Sequence, residues 1–503
     1  MKELVKKIDT ICARRWFPLL FVPVAFVFLL FFSISTSPLF YSEGSDSVVF
    51  KTMGLALLKG KTLYVDIFDH KGFVLYLINA IGIKLSLGRW GIFILQMAGL
   101  STALMFLFRT ARLFTTPSKS LFSVLVSLVF LGGCFEGGNL TEEWNVYIIC
   151  VVTYIVIRFI KERPTSPFPN KSAMLLGILF SLGFFIRPND AVAQSGGAFL
   201  GIALMRLRKK EVRNVLTNLL FYIAGAALVA IPILVYYASK KAIPDLLYGL
   251  IFFNNEYAEG IGSLFVSLFQ HSKAPILLIM FVTCYLSYYS NNRNLLWVMI
   301  PMCILQALFI GIRMYPHYLI VLTPIINTLV AQVFKQDKTV QIMTWAILIA
   351  NPFVGERQMH IALVNTIKYN CLEYQSNQAY YPTDKTVLND FFENIPENKR
   401  DSVWNYGNPW TFSVLKSLYT NNIVQCNKIT IAHNDKLQKE DNLLEKRPPY
   451  IVVRPSITEY RSDSCLAKNY SPIAYAYTPK GDCNLILFKR TEASAISKNQ
   501  FNK

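Results

Sequence analysis

Long apolar stretches separated by short polar connections fill the first 355 residues, and then the pattern changes. Stretches approaching the twenty or so residues that cross a bilayer as a helix fall at 17–36, 90–108, 120–134, 144–160, 172–187, 190–206, 214–238, 273–290, 295–312, 317–334 and 339–355. "FPLLFVPVAFVFLLFFSIS" (17–35) and "NLLFYIAGAALVAIPILVYY" (218–237) contain no charge. The first follows a basic leader and lacks a small-residue cleavage site, so it is expected to be a first membrane span and not a signal peptide. Beyond residue 355 the chain turns mixed and polar. "DSVWNYG" (401–407), "PYIVVRP" (449–455) and "NLILFKR" (484–490) read as strands, and 383–395 and 410–419 as helices. The expected architecture is a polytopic α-helical membrane protein of about eleven spans (1–355) followed by a small extracytoplasmic α/β domain (356–503).

One apolar segment, 73–88, decides the topology. If it crosses, the basic connections at 108–120, 158–172, 206–214, 291–294 and 335–338 face away from Lys2, Lys6, Lys7, Arg14 and Arg15. If it lies at the interface, all of them share the N-terminal side, as the positive-inside rule requires. The second arrangement makes residues 37–89 one large outer loop ending in an interfacial helix. It places the N-terminus in the cytoplasm of a multi-pass cytoplasmic-membrane protein.

Composition agrees: 53% of residues are hydrophobic, 14% aromatic and only 16% charged, against about a quarter charged in soluble domains. The net charge of +19 is taken up largely by short cytoplasmic loops, so no nucleic-acid partner is expected. The chain has no Walker A loop, no dinucleotide fingerprint, no nucleophile elbow and no H-E-x-x-H helix. These absences exclude an ATP-driven pump, a dinucleotide enzyme and a serine hydrolase. Of nine cysteines, Cys371, Cys426, Cys465 and Cys483 lie in the last third, where one or two disulfides or free thiols are equally open.

The polar residues near the spans collect on the outer side. Asp46 opens a helical stretch after the first span, as an N-cap or as a proton acceptor. Glu142 and Glu143 stand at the mouth of a span, complementing the helix dipole or serving chemistry; they point about 100° apart, so one of the two faces the site. "DHKGF" (69–73) supplies His70 and Lys71, a cation at headgroup depth. Arg187 in "IRPND" ends a span before Pro188 and either snorkels or holds a phosphate; Asn189 follows. "GIRMYPHY" adds Arg313, His317 and Tyr318, and "FFNNEYAEG" adds Asn254, Asn255, Glu256 and Tyr257, suited to hydrogen-bonding a sugar.

These pieces, "GSDSVVFKTMGLALLKGKTLYVDIFDHKGFVLYLINAIG" (44–82), "GGNLTEEWNVY" (137–147), "LGILFSLGFFIRPND" (176–190) and "YPHYLIVLTP" (315–324), resemble the GT-C superfamily of membrane glycosyltransferases. Within it they are most similar to the family-39-like group, with the protein O-mannosyltransferases and lipid A aminoarabinose transferases. The resemblance implies an inverting transfer of a hexose or pentose from a polyprenyl-phosphate donor to a hydroxyl of a lipid, glycan or protein acceptor at the outer face. It implies Asp46 as the first-loop acid and Glu142 or Glu143 as the second. Lys71, Arg187 and His317 would hold donor phosphate, and His70, Asn189, Asn254, Tyr257 and Tyr318 would bind substrate. A divalent cation on Asp46 with Glu142 or Glu143 is left open. Two positions depart from the family: Phe73 stands where many relatives have proline, and Ser47 follows Asp46 where others have a second acid. A flippase, transporter or polymerase of lipid-linked glycans is the alternative, but a transporter site is expected near the bilayer midplane.

Overall fold

The computed structural model of the chain describes residues 2–39, 45–85, 90–254, 274–289, 293–309, 315–350, 393–406, 449–453, 470–477 and 483–491. It divides into two compact units, Met1–Leu39 with His70–Leu372, and Phe40–Asp69 with Glu373–Lys503. Most of the expected first outer loop is thereby grouped with the C-terminal residues.

Eight helices open the chain: α1 (Lys2–Cys12), α2 (Phe21–Phe32), α3 (Ser45–Leu58), α4 (Phe73–Lys84), α5 (Trp90–Arg112), α6 (Pro117–Cys134), α7 (Thr141–Glu162) and α8 (Asn170–Phe184). Only α3 is in the second unit. Among the described residues, five helices are long and apolar enough to cross a membrane: α5, α6, α7, Val212–Ser239 and Pro316–Val333. The pair Lys6–Cys12 and Phe17–Phe32 makes a sixth if counted as one span, although the two parts meet at 93°. Asn170–Phe184, Leu277–Tyr288 and Arg293–Phe309 are shorter apolar helices where further spans are expected. Among the described residues, length and composition therefore account for five or six of the expected spans. The twelve residues of α4 rise only about 18 Å at 1.5 Å each, less than the hydrocarbon thickness.

Helix ends follow their local sequence. Pro117 begins α6 in the first turn, where its missing N–H removes no bond. Arg109 and Arg112 end α5 against the negative pole of its dipole. The carboxylate of Asp9 on α1 accepts from the Ser118 amide at 2.7 Å, which ties the elbow of the N-terminus to the start of α6.

Burial sorts the helices by place. Pro316–Val333 is at the centre: 83% of its apolar window is buried, and Asn327 donates to the Leu107 carbonyl of α5 at 2.9 Å. Val212–Ser239 is at the rim, with Leu216, Leu220, Ile223, Leu228, Ile231 and Val235 exposed, a face suited to lipid. Its inner side meets α8 at two glycines. A Cβ on Gly177 would stand 1.9 Å from the Tyr222 carbonyl oxygen, and one on Gly225 2.0 Å from that of Met174. Small residues permit this approach, which in lipid substitutes dispersion for a hydrophobic drive.

In the second unit α3 buries Val48, Val49, Phe50, Met53 and Ala56. A tight loop follows in which Asp66 accepts from the Thr62 amide at 2.7 Å. The described C-terminal strands form one mixed sheet in the order β1 (Val403–Tyr406), β2 (Tyr450–Val453), β4 (Cys483–Arg490), β3 (Tyr470–Tyr477). The pair β1/β2 is parallel; β2/β4 and β3/β4 are antiparallel. Ile395, Val403, Tyr450, Val452, Ala476, Leu485 and Leu487 make its core. The strand β3 was not expected; Pro472 sits in it beside a register shift at the sheet's edge, where proline is tolerated. The helix expected at 410–419 and most of that at 383–395 fall outside the described residues, as do Cys371, Cys426 and Cys465.

Candidate active site

The site of the first unit is built where α8 stops. A helix leaves its last carbonyls without partners. Here the segment entering α4 supplies them: the Val74 amide donates to the Phe185 carbonyl at 2.8 Å and the Gly72 amide to that of Ile186 at 3.0 Å. The approach is so close that a Cβ on Gly72 would stand 2.0 Å from the Phe185 oxygen. Lys71 and Arg187 each stand one residue beyond this pairing, so their backbones are held near each other.

Arg187 precedes a proline, which disfavours helical backbone, and it is extended at φ −151°, ψ 110°. Its guanidinium pairs with Glu142, reaches the Asp190 carboxylate at 3.5 Å and lies 4.4 Å over the Tyr318 ring. Glu142, itself buried, also accepts from the Thr141 hydroxyl at 2.7 Å. The side chain of Arg187 is 13% exposed, while those of Glu142 and Asp190 are buried.

Glu143 goes elsewhere. Its carboxylate accepts from the Asn139 amide at 2.6 Å, the Leu140 amide at 3.3 Å, Gln96 Nε2 at 2.7 Å and the Tyr147 hydroxyl. This closes the start of α7 from the Glu143 side alone, its carboxylate accepting from the N-cap amide, under a turn whose Glu136, Gly137, Gly138 and Asn139 all have positive φ. Of the two adjacent acids, Glu142 faces Arg187 and Glu143 holds the turn.

Lys71 Nζ stands 2.6 Å from His70 Nε2, with the imidazole nitrogen accepting. Its amide donates to the Tyr76 hydroxyl at 2.9 Å. The His70 carbonyl accepts from Asn254 Nδ2 at 3.0 Å, so Asn254 holds the cationic loop from the far side. His317 Nδ1 pairs with Glu136; the ring stacks on Tyr315 at 5.5 Å and meets Tyr318 edge-on at 4.7 Å. Asn189 donates to the Phe309 carbonyl at 3.3 Å. Tyr257, with Asn255, Glu256 and Arg313, lies outside the described residues. Asp46 is in the first turn of α3, half-buried, in the second unit.

Sequence reading passed over Asp190. The signal was present: an acid three residues after the arginine with proline between, the spacing at which side chains meet on a helical turn. Among the described residues no group of three His, Cys, Asp or Glu side chains is placed to hold a metal ion. Glu142 and Glu143 are both engaged by the donors named above.

No protein-family model matches the chain by sequence, and no curated protein does. Solved structures match it by shape. ArnT from Cupriavidus metallidurans bound to undecaprenyl phosphate superposes with a TM-score of 0.63 at 11% identity, covering 94% of this chain and 98% of that one. The apo form of the same protein gives 0.57 at 12% identity, with 93% and 97% covered. The chain thus shares the fold of ArnT.

Proposed function

We propose that this chain is an inverting glycosyltransferase that moves a hexose or pentose from a polyprenyl-phosphate donor to a hydroxyl of a lipid, glycan or protein at the outer face of the cytoplasmic membrane. Its catalytic part is the membrane region 1–355, crossing about eleven times from a cytoplasmic N-terminus. Residues 356–503 form an extracytoplasmic domain.

One observation carries the reading: main-chain bonds hold the backbones of Lys71 and Arg187 near each other at the end of α8, in a fold shared with a protein crystallised with undecaprenyl phosphate. The leaving phosphate gains negative charge as the glycosidic bond breaks, and prepositioned cations lower that barrier. Lys71 and Arg187 are assigned to the phosphate, with His317 beside them. His70, Asn254 and Tyr318 support these groups as described above. Asp46 takes the acceptor's proton, and the acceptor oxygen displaces the phosphate in one step at the anomeric carbon. Glu142 orients Arg187.

The test is transfer from a labelled polyprenyl-phosphate sugar by membranes carrying the full chain. Lys71→Ala is expected to weaken donor binding more than acceptor binding. Transport of the lipid-linked sugar across vesicles without transfer to a hydroxyl would favour a flippase instead.

A further inference from the structure

Behind Arg187 a line of buried amides runs into the helix bundle. Asp190 Oδ1 accepts from Gln306 Nε2 at 3.4 Å, and Gln306 Oε1 accepts from Gln194 Nε2 at 2.8 Å. On the other side Asn145 Nδ2 donates to Asp190 Oδ2 at 3.5 Å and to the Arg187 carbonyl at 3.3 Å. All four side chains are at most 2% exposed.

The arrangement is directional. A glutamine side chain donates from one end and accepts at the other. Gln194 donates to the oxygen end of Gln306, which turns the NH₂ end toward Asp190. Asp190 is thereby kept as an acceptor and holds the guanidinium of Arg187 at 3.5 Å. The helix Leu296–Phe309 grips the same segment again through the Phe309 carbonyl and Asn189. Gln194 sits in a π-helical turn, Ala191–Gly196, a wide form frequent at functional sites.

The line is not closed at its inner end. Gln194 Oε1 ends it buried and with no hydrogen-bond partner among the described residues, an arrangement that costs folding free energy. An apolar core here would hold the helices together without that loss.

We propose that Asp190, Gln306 and Gln194 are positioning residues: they fix the guanidinium of Arg187 in the orientation that receives a lipid-linked phosphate. The inference rests on the assignment of Arg187 to donor phosphate.

The experiment compares undecaprenyl phosphate with uncharged undecaprenol as probes for the full chain in detergent micelles. Gln306→Met and Asp190→Asn are expected to weaken undecaprenyl phosphate binding about fivefold, within the range of coupling between groups in contact. Undecaprenol binding is expected to stay unchanged. In an Arg187→Ala background Gln306→Met is expected to cause no further loss. Equal weakening of both lipids, a full additional loss in the Arg187→Ala background, or unchanged phosphate binding would overturn the proposal. If Gln306→Met does not fold, Gln194→Met at the end of the line serves in its place with the same expectations. Should Arg187→Ala and Lys71→Ala themselves bind undecaprenyl phosphate normally, the assignment of the site fails, an outcome distinct from failure of the amide line alone.

Discussion

The Gly72 amide donates to the Ile186 carbonyl at 3.0 Å, and through that bond the loop carrying Lys71 is tied to the end of α8, next to Arg187. Two segments more than a hundred residues apart in sequence share one set of hydrogen bonds. The backbones carrying the two cations are consequently held by main chain, the least adjustable part of the molecule.

The first expectation follows directly. Gly72→Ala puts a methyl 2.0 Å from a backbone oxygen, and no rotamer relieves that clash. Transfer activity is expected to fall at least about tenfold, a change of about 1.4 kcal/mol in barrier. The protein should still be found in the membrane, because the helices are untouched. Activity within twofold of wild type, measured in membranes at matched expression, would show that the pairing does not matter.

Arg187→Lys separates charge from shape. Lysine keeps the positive charge but lacks the planar fork that serves Glu142 and Asp190 while lying over Tyr318. Donor affinity is expected to drop about tenfold or more, and Tyr318→Leu to reproduce only part of that loss. Equal donor titrations for Arg187→Lys and wild type would remove the geometric requirement.

The adjacent acids are expected to fail in different ways. Glu143→Ala removes the acceptor of four buried donors: the Asn139 and Leu140 amides, Gln96 Nε2 and the Tyr147 hydroxyl. Each lost partner costs about 1–3 kcal/mol, so the expected readout is a lowered melting temperature and poor yield. Glu142→Gln retains a hydrogen-bonding side chain of the same size. The protein should fold normally and lose turnover, because Arg187 is less firmly held. Thermal unfolding in detergent beside a transfer assay distinguishes the two.

Asp46→Asn is expected to abolish transfer while leaving undecaprenyl phosphate binding intact, since an amide cannot take a proton. Normal turnover by this variant would remove Asp46 from the chemistry.

Much of this was legible in the sequence, for physical reasons that differ by element. The long spans announce themselves because lipid requires unbroken apolar helices. Arg187 was conspicuous because the proline after it both ends a helix and forces it extended. The choice between Glu142 and Glu143 was not legible: it depends on Asn139 and Leu140 presenting their amides from a left-handed turn, and on Gln96 of α5 arriving from outside. Gln194 and Gln306 are 112 residues apart, and no local pattern marks either one. The strand β3 was hidden because its proline argues against a sheet unless the strand is known to lie at an edge.

The placement of Pro316–Val333 at the middle of the bundle has a consequence for biogenesis. Ribosomes deliver α5, α6 and α7 to the membrane well before this segment exists, yet Asn327 on it is what reaches the Leu107 carbonyl. The early helices must therefore wait, inserted but unconsolidated, until a late arrival threads between them. Truncations ending before residue 316 should insert and yet remain protease-sensitive.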